Sequence, residues 1–265
     1  MTGHSERLAR LAQGWDEAAK GYEAYYVPRF APWVDAAVRA ITARPLPDGP
    51  VLVPCCGTLP ELDALSEHLP DREIIGIDLS RGMVRRARER ATRYPRVSVV
   101  EGDASTPAAH GLGRSAAVVS VFGLQQLPEP DMAIQAWARN LRPTGRLSVL
   151  FWPRSIEADG PFARLSEVVR RHEPSSGDSS WEDRLVPSLA ALGTVIERDE
   201  QLSFPMSHPD AATFFDAHTR SGPLRPLADQ RGDAFVSRLR AEFLRESPAG
   251  EWHHRPSARH IVARG

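Results

Sequence analysis

Residues 5–20 carry apolar side chains at helical spacing on an otherwise polar stretch, which predicts an amphipathic helix. The following segment, YEAYYVPRFAPW, is rich in tyrosine and its prolines break the regularity; helical spacing resumes over 33–43. Strand and helix signals then alternate. Residues 51–54 form an apolar run, 61–68 read as helix and 73–78 (EIIGID) as strand. Ser80 suits the N-cap of a helix whose Met83, Val84, Ala87 and Ala91 share one face. Residues 96–100 and 116–122 are strand-like, and Ile134, Trp137, Ala138 and Leu141 mark the inner face of the next helix. Pro143, Thr144 and Gly145 turn the chain into a fifth strand over 146–152.

Beyond residue 152 the regularity drops. One helix is expected around 162–171, followed by a polar loop, EPSSGDSSWED. A strand over 194–204, helices over 210–218 and 233–245, and a last strand over 260–263 follow. Strands separated by helices imply right-handed crossovers and a parallel sheet in an α/β fold.

Composition narrows the chemistry. The 265 residues carry a formal charge of −1, so nucleic acid is not a favoured partner. Lys20 is the single lysine and lies too early for a phosphate-loop, Schiff-base or kinase lysine. The polar N-terminus lacks the apolar core of a signal peptide, and no run is long enough to span a bilayer, so a cytoplasmic setting without a membrane partner is expected. Cys55 and Cys56 are adjacent, without CxxC spacing or clustered histidines. His253 and His254 would point to opposite faces of a strand, so no metal site is expected. The run RRARER at 85–90 reads as the solvated face of its helix. There is no GxSxG elbow of an α/β hydrolase, and no GxGxxG turn of a nicotinamide dehydrogenase.

In an open parallel sheet, ligands bind at the carboxyl ends of the strands. Here those ends hold the turn Pro54, Cys55, Cys56, Gly57 and Thr58; Asp78; Asp103 in EGDAS; and the stretch 122–126. An acid about 20–25 positions beyond the first turn can accept both hydroxyls of a ribose. A second acid one strand on reaches an adenine amino group.

With these landmarks the chain resembles the class I S-adenosylmethionine-dependent methyltransferases, of the small-molecule type related to ubiquinone and menaquinone biosynthesis. The resemblance is strongest over 51–152 and extends to YYVPRFAPW and to 216–265. The family's first motif usually reads acid, glycine, small residue, glycine, threonine, glycine. Here Val53, Cys55, Cys56, Gly57, Thr58 and Leu59 stand in those places, so the acid and two glycines are missing. Asp78, Met83, Gly102–Asp103–Ala104 and LRPTGRL match the later landmarks. Leu59 is expected to tilt the following helix or to push the methionine end of the cofactor. Reverting Cys55 and Leu59 to glycine together is expected to leave binding intact or improve it.

The resemblance implies a Rossmann-like, mostly parallel seven-stranded sheet with helices on both faces, in one domain. Residues 1–44 would be a helical entry or lid, 45–153 the cofactor core, 154–192 an insertion over the active site, and 193–265 the strands and helices completing the sheet. It implies S-adenosylmethionine as cofactor, S-adenosylhomocysteine as product, and a monomer or homodimer acting on a small, aromatic or heteroaromatic metabolite in bacterial secondary metabolism. The methylated atom would be oxygen, nitrogen or carbon, an indole carbon among them. Leu79, Phe122 and Gly123 would line the cofactor. Tyr22, Tyr25 and Tyr26 would close over the sulfonium, and Arg29 would pair with the carboxylate. Glu17, Glu23 and His218 are the candidate bases; for His218 the plain alternative is a surface histidine at a helix end. Gln125, Gln126, Trp152 and Arg220 would contact the acceptor. The altered first motif keeps a second reading open, a regulatory or scaffolding protein that binds the cofactor without transferring methyl.

Overall fold

A computed structural model describes residues 2–173 and 180–265. The chain opens with α1 (Thr2–Tyr25) and α2 (Val27–Thr42), separated only by Tyr26. The expected irregularity around YYVPRFAPW is confined to that one-residue break. Pro28 falls in the first turn of α2, where no amide donor is needed, and Pro32 lies one turn on. The buried face of α2 carries Phe30, Trp33, Val34, Ala37, Val38 and Ile41.

The core alternates strand and helix: β1 (Val51–Pro54), α3 (Leu62–His68), β2 (Ile74–Asp78), α4 (Arg81–Ala91), β3 (Val97–Glu101), β4 (Ser115–Val121), α5 (Pro130–Arg139) and β5 (Leu141–Phe151). Ser80 caps α4 as expected, accepting the Met83 amide at 3.1 Å. The turn at 143–145 is absorbed inside β5: its pairing with β4 jumps from Ser115–Leu141 to Ala117–Arg146, and Thr144 takes φ 65°. The second half adds α6 (Pro161–His172), α7 (Trp181–Ala190), β6 (Val195–Ser203), β7 (Met206–His208), α8 (Ala211–Ser221), α9 (Arg225–Arg231), α10 (Asp233–Arg245), β8 (Trp252–His254) and β9 (Ser257–Arg264). Of the expected polar loop, residues 174–179 lie outside the described residues. Its end is helical instead, because Leu185 and Leu189 of α7 are buried beside α5.

Among the described residues seven strands form one sheet in the order β3-β2-β1-β4-β5-β9-β6. Pairings from β3 to β5 are parallel, and β9 runs antiparallel to both β5 and β6. β1 shows how the two faces are filled. Val51 and Val53 pack with α2, α3 and α4, while Leu52 points to the other face with Trp137 and Leu189. Strand order reverses between β1 and β4, so a crevice opens above their carboxyl ends. A third apolar cluster, including Leu165, Phe214, Leu239 and Phe243, ties α6, α8 and α10 together.

α1 is fixed to the rim of that crevice. Asp16 Oδ1 accepts from the Ser80 hydroxyl (2.6 Å) and from the Gly82 amide (2.8 Å), both at the start of α4. Only glycine fits at position 82, since a Cβ there would lie 2.6 Å from the Asp16 carbonyl oxygen. The RRARER run is not simply solvated: Arg86 and Arg90 reach Glu23 of α1, and Arg88 donates to the Val99 carbonyl. No described helix is long and apolar enough to cross a membrane.

Candidate active site

The loop after β1 decides the shape of the crevice floor. Cys55, Gly57 and Leu59 all adopt left-handed backbone, with φ of 54°, 52° and 56°. These are the three positions where the family pattern has glycine. The conformation is therefore kept although two of the three residues are not glycine. The Leu59 side chain, expected to tilt the following helix or push the cofactor's methionine end, packs away from the crevice. It is fully buried in the core beside Leu62 and Leu65 and is not part of the crevice wall.

Asp78 binds this loop to the next one. Its Oδ2 accepts from the Gly57 amide (2.8 Å) and its Oδ1 from the Ser80 amide (2.9 Å). A carboxylate oxygen has two acceptor sites, so each still has one to offer a ligand hydroxyl. Burial raises the Asp78 pKa, and the amides that donate to it act against that rise. Asp103 accepts from the Ser105 amide and hydroxyl on Oδ1 alone (2.9 and 2.7 Å), which leaves Oδ2 for a ligand.

Asp78 and Asp103 both line a cavity of about 660 Å³. Its floor also includes Cys55, Cys56, Gly57, Leu79, Met83 and Ala104. Gln125 and Gln126 lie further on in the wall; the Gln125 side-chain amide donates to the Phe122 carbonyl, and its oxygen is buried without a partner. Phe122 (φ 58°) and Gly123 follow β4, and the Phe122 ring stacks on Trp152 at 4.1 Å and 5°. Tyr22 of α1 and Tyr26, between α1 and α2, complete this wall with His218 of α8; the Tyr26 and His218 rings meet edge to face at 5.5 Å.

His218 is thus buried in the cavity wall and not on the surface. Its Nδ1 donates to the Phe214 carbonyl (3.0 Å), which leaves the lone pair on Nε2. Burial lowers its pKa to about 4, so the ring is neutral at physiological pH. Burial raises the Tyr22 and Tyr26 phenols, which remain hydroxyls. Burial next to Asp78 likewise raises both cysteine thiols, so neither is a thiolate nucleophile. No cluster among the described residues could hold a metal ion.

Several expected site residues stand elsewhere. Pro54 ends β1 and its carbonyl accepts the Ser120 hydroxyl (3.1 Å). Gly102 gives its amide to the Asp78 carbonyl. Glu23 is held by Arg86 and Arg90 (2.5 and 3.2 Å), and Glu17 pairs with Arg225. Arg29 lies over the Tyr25 ring and donates to the carbonyls of Tyr25 and Ser207, while Tyr25 bonds His208. Arg220 is exposed beside Asp216. None of these is in the cavity wall. Residues not foreseen are there instead: Trp15, edge-on to Tyr22 at 5.6 Å; Phe162, Leu165 and Val169 on one face of α6; and Glu61. The signal for α6 was its i, i+3, i+7 spacing, and for Trp15 its place on the apolar face of α1.

A family model described as a methyltransferase domain matches residues 51–145, from the start of β1 into β5. Over these residues the chain is similar to a methyltransferase domain. A protein of transposon Tn4556 from Streptomyces fradiae, described as an uncharacterized 37.1 kDa protein, is 34% identical over 176 residues, or 62% of this chain. The chain spans about half (49%) of the length of that relative. The methyltransferase fold extends beyond the matched segment. The YcgJ protein of Bacillus subtilis superposes with a TM-score of 0.57 at 16% identity, over 87% of this chain and 97% of that one. A geranyl diphosphate C-methyltransferase of Streptomyces coelicolor, crystallised with Mg²⁺, geranyl diphosphate and S-adenosylhomocysteine, gives 0.51 at 13% identity, over 89% and 79%.

Proposed function

We propose that this protein transfers a methyl group from S-adenosylmethionine to a small, apolar, aromatic or heteroaromatic acceptor. One observation carries the reading: a single cavity joins two strand-tip carboxylates, Asp78 and Asp103, to a chamber walled by Trp15, Phe122, Trp152 and Phe162. The carboxylates suit the ribose hydroxyls and the adenine amino group, and the glycine-like backbone of Cys55, Gly57 and Leu59 leaves room for close approach. When bound, the cofactor supplies an electrophilic methyl on a sulfonium.

The chain's own residues then have three tasks. The stacked Phe122 and Trp152 rings, with Phe162, orient a flat acceptor so that its nucleophilic atom lies in line with the methyl–sulfur bond; this positioning is the main contribution to rate. Tyr22 and Tyr26 present ring faces and hydroxyls on the lid side and keep water out, and aromatic faces favour a sulfonium. His218, neutral and with a free Nε2 lone pair, accepts the proton that an oxygen, nitrogen or ring-carbon acceptor loses.

The test has two stages. Calorimetric titration with S-adenosylhomocysteine is expected to show binding, and Asp78→Ala to weaken it by about tenfold or more, the loss expected for hydrogen bonds to a charged group. Labelled S-adenosylmethionine with a panel of indoles, phenols and heteroaromatic amines is then expected to give a methylated product. Binding without transfer to any acceptor would favour a non-methylating role; no binding would overturn the reading.

A further inference from the structure

The cavity has a third carboxyl group that neither the ribose nor the adenine uses. Glu61 lies just before α3, at the end of the loop that follows β1, and it lines the cavity while being almost wholly buried. Its Oε2 has no hydrogen-bond partner. The neighbouring cation, Arg90, is engaged elsewhere: its Nε donates to the Thr58 carbonyl, and its terminal nitrogens lie against Glu23 and Asp63. The Thr58 hydroxyl is also buried without a partner, so it does not satisfy Glu61. Leaving an ionisable group buried and unpaired is unfavourable, which marks it as a group awaiting a partner.

Its place in the sheet indicates which partner. The cavity carboxyls follow strand order, with Asp103 after β3, Asp78 after β2 and Glu61 after β1. Adjacent strands are about 4.8 Å apart, so the three mark successive steps along one extended ligand. A nucleoside held by Asp103 and Asp78 sends its 5′ substituent past β1, towards Glu61 and the aromatic chamber. On the reading proposed above, that substituent ends in an amino acid with a primary ammonium.

We propose that Glu61 is the anchor for the ammonium of the cofactor's amino-acid end, its carboxylate taking up the charge through Oε2. The groups around it fit an incoming cation. Tyr22 of α1 and Cys56 of the loop line the same cavity and both feel the Glu61 charge, and Arg90 of α4 lowers the Glu61 pKa only in part against its burial. Without a ligand, burial raises the Glu61 carboxyl to about 8, so the free protein holds a proton there at neutral pH. An ammonium on Oε2 displaces that proton.

The test uses wild type and Glu61→Gln with two ligands: S-adenosylhomocysteine, and methylthioadenosine, which keeps the nucleoside and sulfur but has no amino acid. Wild type is expected to prefer S-adenosylhomocysteine. Glu61→Gln is expected to lose about tenfold or more of that affinity, with methylthioadenosine binding unchanged. Titration in two buffers of different ionisation enthalpy is expected to show wild type releasing about one proton on binding S-adenosylhomocysteine at pH 6.5, and the variant not. Equal loss for both ligands would mean a structural role and would overturn the inference, as would unchanged affinity in the variant. Wild type binding both ligands equally, without proton release, would overturn the ammonium anchor while leaving the nucleoside site intact. Wild type binding neither would remove the cofactor reading as well.

Discussion

Cys55 and Leu59 take the same backbone conformation for different net effects. A non-glycine residue in left-handed backbone costs about 1–2 kcal/mol. Glycine removes that strain but gives back roughly 0.5–1 kcal/mol through the entropy of the unfolded chain. Cys55 is only partly buried, so Cys55→Gly is expected to be neutral or to stabilise by up to about 1 kcal/mol. Leu59 is fully buried among Leu62, Leu65 and Ile74. Deleting such a side chain costs roughly 3–5 kcal/mol, more than the strain relieved, so Leu59→Gly is expected to lose at least about 1.5 kcal/mol. Urea unfolding of the two single variants measures both. In stability the double reversion should therefore follow Leu59. The loop keeps leucine because the side chain belongs to the core.

At the scale of elements, the position of α1 decides whether its aromatic side chains wall the cavity. Trp15 and Tyr22 reach the wall because Asp16, on the same helix, binds the first turn of α4. A carboxylate there accepts two hydrogen bonds and faces the positive end of the helix. Asp16→Ala is expected to raise hydrogen exchange of the α1 amides by about tenfold or more, matching the loss of hydrogen bonds to a charged group, while β1 and β4 amides exchange as before. Exchange unchanged in α1 would mean that the aromatic contacts alone hold the helix. None of this docking was legible in the sequence, because Asp16 reads as one more polar residue on an amphipathic helix. The strands from β1 to β4 and helix α10 were legible, since a continuous apolar run or a helical apolar period marks each of them locally. α7 was not, because Pro187 and the serine-rich stretch before it hide the spacing of Trp181, Leu185 and Leu189. The β7–β8 pair is three residues on each side and joins segments far apart in the chain, which no local pattern can show. In the site, Asp78, Asp103 and Phe122 were found because strand ends predict them. Glu61 was missed because one acid at the start of a helix looks like a capping residue.

Across the whole molecule, buried titratable groups set opposing limits on stability. A chain of hydrogen bonds runs from the Tyr25 hydroxyl to His208 Nδ1 (2.7 Å), from His208 Nε2 to His254 Nε2 (2.9 Å), and from His254 Nδ1 to Glu157 (2.7 Å). It joins α1, β7, β8 and the start of α6, where Glu157 also accepts the Phe162 amide (2.7 Å). A carboxylate can only accept, so His254 donates to Glu157, His208 donates to His254, and Tyr25 donates to His208; a proton added to His208 breaks the sequence. Burial lowers His208 to about 2, and lowers His218 and His260 to about 4. These histidines bind protons in the unfolded chain below about 6.5 but not in the folded one. Each therefore removes up to about 1.4 kcal/mol of stability per unit as pH falls from 6.5 towards 4. Glu61 acts in the other direction. Its folded pKa of about 8 lies above the ordinary carboxyl value, so the unliganded fold loses stability as pH rises from about 4.5 to 8. The three histidines outweigh Glu61 and the raised Asp78 below pH 6.5, while above it Glu61 sets the decline until the buried cysteine thiols add to it near pH 9. Thermal unfolding of the ligand-free protein across pH 4–9 is thus expected to show a maximum near pH 6.5, with a steep acid limb and a shallower alkaline one. Glu61→Gln should flatten the alkaline limb and leave the acid limb in place. If the alkaline limb persists in that variant, the proton held in the cavity belongs to another group.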